Sequence, residues 1–121
     1  MSTRKFDLED RLIDFALMID NIIEQLPDKR LGRYLAGQMI RCGSSCALNY
    51  GEAQAAESPN DFIHKCKVIL KELRETRVCL KIIQRKPLLP EEKVITEIQE
   101  SNELIAIFLK SIDTARKNKQ K

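Results

Sequence analysis

Four cysteines, a single histidine and a scatter of glutamates are the residues of this sequence with the chemistry to hold a metal or attack a bond. Cys42 and Cys46, in "RCGSSCALNYGEA", stand one helical turn apart, and Cys66 and Cys79 follow in the next segment. Four thiolates that converged would bind zinc. The spacing opposes convergence. Zinc sites usually draw on closer pairs such as C-x₂-C, whereas Cys79 falls almost four helical turns beyond Cys66, ~20 Å along the axis. His64 lies on the charged side of its segment, away from the row of Cys66, so no nucleophile–base pair forms. These residues predict no catalytic site, no metal, no cofactor and no small-molecule substrate.

The carboxylates suggest a different role. Glu72 and Glu75 interrupt an otherwise apolar row, Val68, Cys79 and Ile82. On the preceding segment Arg41 and Glu52 share a face with Ser45 and Leu48. Carboxylate-bridged metal bundles use Glu-x-x-His on two helices, a motif missing here. Buried charges need partners, so Arg41, Asn49, Glu52, Glu72 and Glu75 are expected to form a structural polar network that fixes helix register. A third group is basic. Lys67, Lys71, Arg74, Lys81 and Arg85 recur at helical spacing, with His64 at one end. Such a stripe can track phosphates, or it can be a solvated face that pairs with acidic helices. No aromatic interleaves it, so base stacking is not indicated.

The elements that carry these residues are helices. The 121 residues suit one domain, 1–121. Only 5% are aromatic, glycine and proline number four each, and charged residues make up 32%; that balance favours an all-α protein. Prolines divide the chain into helices of about 7–26, 28–57, 58–86 and 90–115, with a basic tail, 116–121, expected to fray. In the first, Leu8, Leu12, Phe15, Ile19, Ile22 and Leu26 step by threes and fours, the mark of an amphipathic helix. The other expected seams are Leu35, Met39, Cys42, Cys46, Asn49, Ala53 and Ala56; then Phe62, Cys66, Ile69, Leu73, Thr76, Leu80 and Ile83; then Val94, Ile98, Ser101, Ile105, Phe108, Ile112 and Ala115. Four such helices with short connections predict an antiparallel, left-handed up-down-up-down bundle. Gly43 and Gly51 flank the second seam. An interior glycine costs about 1 kcal/mol relative to alanine, which implies close helix approach there. No apolar run nears the ~18 residues of a membrane span and no signal sequence is evident, so a cytoplasmic location is expected, with no membrane partner and free thiols.

The stretch "QMIRCGSSCALNYGEAQAAESPNDFIHKCKVILKELRETRVCLKII" resembles the signature region of the four-helix-bundle proteins encoded within intervening sequences of bacterial 23S ribosomal RNA genes. The resemblance rests on Gln38, Arg41, Ser44, Asn49, Glu52, Ser58, Asp61, Phe62, Glu72 and Glu75, and is clearest over 38–83. It departs from the family at "RCGSSCAL", where relatives more often carry alanines. The resemblance implies a cytoplasmic bundle, commonly a homo-pentamer, with no established enzymatic activity. A related branch looks like the accessory proteins of diversity-generating retroelements, which bind a reverse transcriptase and nucleic acid.

Charge adds an independent view. The net charge is only +3, but residues 58–86 hold eight Lys or Arg against three acids, and residues 90–113 two against six. Two apolar rows on one helix suggest contact on two sides, which makes Val68, Cys79 and Ile82 the expected interface of a closed homo-oligomer. Two functions from different classes follow. One is a non-enzymatic oligomeric scaffold or adaptor that binds RNA, or a nucleic-acid enzyme, through Lys67, Lys71, Arg74, Lys81 and Arg85. The other is a purely protein-binding or structural oligomer without nucleic-acid affinity.

Overall fold

The computed structural model describes residues 7–120: four α-helices and one short 3-10 turn, with no strand among the described residues. Helix α1 (Leu8–Gln25) starts where the Asp7 carboxylate accepts the backbone N–H of Asp10 at 3.2 Å, with Glu9 and Asp10 in the positive first turn. Helix α3 (Pro59–Arg85) starts in the same way. Ser58 Oγ accepts the N–H of Asp61 at 3.1 Å, and Pro59 occupies the first turn, where its missing donor is not needed.

Helix α2 (Arg30–Gln54) has no side-chain cap. It is set against α1 by a tight link instead. Lys29 N–H donates to the Pro27 carbonyl at 2.8 Å, and Arg33 pairs with Asp28 at 2.9 Å. A Cβ at Gly32 would run into the Pro27 carbonyl oxygen, so glycine is required there. The glycines singled out by the sequence divide. A Cβ at Gly43 would stand 3.1 Å from Ile19 Cγ2 of α1, a true close approach, whereas one at Gly51 would meet nothing within 4 Å.

The fourth segment differs from expectation at both ends. Glu91–Lys93 form a 3-10 turn, and α4 proper spans Ile95–Lys119. The tail expected to fray is helical through Lys119; Lys121 lies outside the described residues. Arg116, Lys117 and Lys119 in the last turn offset the negative helix end, and Lys117 pairs with Asp113 one turn earlier at 3.1 Å.

Helix α3 packs along both α2 and α4, α1 packs mainly on α2, and the contact of α1 with α4 is slim. The core consists of Leu12, Phe15, Ile19, Leu35, Met39, Ile69, Leu73, Leu80, Leu104 and Phe108, among others, all fully buried. Because α3 has two intramolecular neighbours, its buried face is wide: Ile63, Leu70, Glu72 and Cys79 join the expected seam, and Phe62 is only half-buried. Leu104, outside the expected seam of α4, is buried for a related reason, since α4 faces α3 and also meets α1.

Candidate functional site

The polar cluster forms where α2 and α3 face each other. Arg41 Nη1 donates to the two carboxylate oxygens of Glu72 at 3.3 and 3.4 Å, and Nη2 reaches Glu75 and, at 3.2 Å, Gln38 Oε1. Ser45 Oγ sits 3.2 Å from Glu72 Oε2 and 3.1 Å from the Cys42 carbonyl. Glu72 and Glu75 are one turn apart, so both carboxylates meet one guanidinium. Glu75, then Glu72, favour the charged form of Arg41.

Two residues assigned to this network by sequence lie outside it. Glu52 is eleven residues beyond Arg41, ~16 Å along the helix, and pairs instead with Lys65 at 2.8 Å. Asn49, two turns from Arg41, joins no hydrogen bond of the cluster. Gln38 and Ser45, absent from the expected set, take their places. Arg41 itself is 53% exposed while the Glu72 side chain is 12% exposed. The cluster is therefore a lid over one buried carboxylate, not a buried ion network.

The four thiols are free and buried. Cys46 Sγ donates to the Cys42 carbonyl at 3.3 Å; Thr76 donates to the Glu72 carbonyl at 2.8 Å, and its Oγ1 stands 3.0 Å from Cys42 Sγ. Burial pushes the Cys46 thiol up and the Cys66 thiol up to about 11; the hydrogen bond with Cys42, and then burial, raise Cys79. The same hydrogen bond, from Cys79, lowers Cys42; the other three, held protonated, are poor nucleophiles and poor metal ligands. Among the described residues no three His, Cys, Asp or Glu side chains come together to hold a metal ion.

Cys79 corrects a second expectation. It is buried within the protomer against α2 and offers little surface to a second copy. The second apolar row of α3 serves α2 in large part. Of the trio assigned to an oligomer interface, Val68 is half-buried and Ile82 exposed. Ile82 lines a groove between α2 and α3 together with Leu31, Tyr34 and Val78.

The basic stripe lies on the outward ridge of α3. Lys67, Lys71, Arg74, Lys81 and Arg85 are all exposed, and none enters an ion pair among the described residues. By contrast Arg11, Arg33, Arg41, Lys65 and Lys117 are each paired. At one end of the ridge, Phe62 shares a hollow with Lys110 and Asn118, and Ser58 and Pro59 share another with Lys119. The cationic end of α4 is therefore next to the start of α3. A relation invisible in the sequence is the Arg11 cluster: its Nε and Nη2 donate to the two oxygens of Glu100 at 2.7 and 2.8 Å, and Nη2 also to Glu103 at 2.7 Å. Among the described residues no helix is long and apolar enough to cross a membrane.

Over residues 4–110 the chain matches the family model described as 23S rRNA-intervening sequence protein. It is also similar to a crystal structure from Bacteroides thetaiotaomicron VPI-5482, that of a protein with unknown function from the S23 ribosomal protein family. That likeness has a TM-score of 0.81 at 28% identity and covers 88% of this chain and 98% of that one. No curated protein matches this chain.

Proposed function

This chain belongs to the 23S rRNA-intervening sequence protein family, and on that premise we propose that it is a non-enzymatic, cytoplasmic homo-oligomer that scaffolds nucleic acid through the outward ridge of α3. The observation that carries the proposal is the ridge itself: five exposed cations in register, none of them neutralised within the protomer. One protomer offers modest charge. A closed ring of up-down-up-down bundles, a pentamer by family resemblance, repeats the ridge and lets weak phosphate contacts add. Lys67, Lys71 and Arg74, at successive turns of α3, form its densest part. Four buried thiols and a polar cluster that only ties α2 to α3 favour a role without catalysis. A reverse-transcriptase accessory role would use the same ridge.

The test is titration with structured RNA at several salt concentrations. Binding is expected to weaken steeply with salt, each neutralised phosphate contributing roughly −0.7 to −0.9 to the log–log slope, with little base preference. Lys67→Glu with Lys71→Glu is expected to lower affinity and flatten the slope. Absence of wild-type binding at low salt would favour the second reading, a protein-only oligomer, to which the apolar floor of the groove, Leu31, Tyr34, Val78 and Ile82, lends its own support.

A further inference from the structure

The exposed large apolar side chains are not scattered evenly. Tyr34 (62% exposed) and Val78 (55%) stand with Ile82 and half-buried Leu31 in the groove between α2 and α3, a hollow of about 490 Å³ at its α3 end. Its surroundings are cationic: Lys81 and Arg85 line it on α3, and Arg30 lines its continuation at the start of α2. A basic rim around an apolar floor selects an occupant with an apolar centre and acidic flanks.

This chain carries one. On the outward face of α1, Ile13 and Leu17 (59% exposed) are one turn apart and so form a single ridge. Exposed Glu9, Asp14 and Glu24 flank them. The one cation of α1, Arg11, is turned toward α4 and held by Glu100 and Glu103. No other helix combines these features. The exposed Ile40 and Leu48 of α2 stand near Arg41 and Glu52, each already held in an ion pair with α3, and Ile95 and Leu109 of α4 are four turns apart, ~21 Å.

We propose that the acidic outer face of α1 of one copy docks into the basic-rimmed α2–α3 groove of the next. Ile13 and Leu17 fill the space over Val78, Ile82, Leu31 and Tyr34. Asp14 and Glu24 meet Lys81 and Arg85. Two different surfaces take part, so the contact is heterologous and propagates around a ring if the rotation closes. Apolar side chains supply the buried area, and the opposed charges set register and partner. The proposal rests on the homo-oligomer reading above and names its surfaces. It also assigns the two ends of the α3 ridge different work: Lys81 and Arg85 face the neighbouring copy, and Lys67 and Lys71 stay open to phosphate.

Light scattering after gel filtration tests it with charge-exchange variants of the full chain, all at exposed positions, with circular dichroism to check helix content. Wild type is expected to run as a multiple of the 14.0 kDa protomer. Asp14→Lys with Glu24→Lys, and separately Lys81→Glu with Arg85→Glu, are each expected to fall to the protomer mass. All four substitutions in one chain exchange both signs and are expected to restore the wild-type mass. If wild type is itself monomeric, the homo-oligomer reading falls and this proposal with it. If wild type is oligomeric and either pair of substitutions leaves its mass unchanged, the oligomer stands and these surfaces are not its interface. Dissociation by both pairs without recovery in the fourfold variant would show that the two faces do not meet each other.

Discussion

Two arginine clasps of the same chemical design hold this bundle, and they differ in what lies behind them. Arg11 on α1 grips Glu100 and Glu103 on α4; Arg41 on α2 grips Glu72 and Glu75 on α3. In each, a guanidinium meets two carboxylates three residues apart on another helix. The Arg11 clasp has short, two-pronged geometry to Glu100, with the Arg11 side chain 28% exposed. It spans the slim α1–α4 contact. The Arg41 contacts to Glu72 are longer, the arginine is half in water, and beneath it runs an extensive α2–α3 interface filled by Leu35, Met39, Cys42, Thr76, Cys79 and Leu80. A polar clasp matters most where little apolar packing shares the work, because exposed pairs are weak by themselves.

That contrast can be broken by mutation. Arg11→Ala is expected to have the larger effect, about 2 kcal/mol of stability, from lost charge-assisted hydrogen bonds and a half-buried Glu100 left without its partner. Thermal unfolding should show it as a drop of roughly 8 °C. An unchanged melting temperature would mean that the α1–α4 contact holds without its clasp.

Arg41→Ala is expected to lower the melting temperature by roughly half as much, since the arginine is solvated and packing persists beneath it. What remains costly is Glu72, buried with only Ser45 to bond it. Arg41→Ala with Glu72→Gln should therefore recover most of the loss. No recovery would assign the cost to the arginine's contacts with Glu75 and Gln38 instead.

The smallest effect concerns pH. Cys66 keeps its proton to about pH 11 in the folded chain but to about 9 when unfolded. With the folded value raised, its stabilisation is complete below pH 9 and is lost as pH rises through 11. Cys46 shifts in the same direction; Cys79 is raised and Cys42 lowered by the hydrogen bond they share, so that pair contributes in opposite senses. Melting temperature should thus fall between pH 9 and 11, by the same increment in wild type and in Arg11→Ala, because no thiol underlies the α1–α4 clasp. A larger alkaline loss in Arg11→Ala would couple the two regions.

The helices were legible because their signals are local. Ser58 at a cap, Pro59 in a first turn and apolar steps of three and four act within a few residues, and the first three helices run close to the ranges they set. Glu72 and Glu75 were legible as a polar break in an apolar row. Glu52 and Asn49 were misassigned because sharing a helix face does not mean sharing a height along the axis, and height decides which side chains touch.

By itself, then, the sequence determined an all-α chain, the seams of its helices, the burial of Cys42, Cys46 and Cys66 and the cationic ridge of α3, all set by spacing along one helix at a time. Which helices become neighbours was decided only in three dimensions. Arg11 and Glu100 are separated by 89 residues, and no local pattern distinguishes Glu100 from the other acids of its run. The second row of α3, which in sequence pointed to another copy, was claimed in large part by α2: Cys79 turns inward while Ile82 stays out. A helix pattern shows how many faces are apolar, but only packing decides which neighbour, within the protomer or beyond it, covers each one.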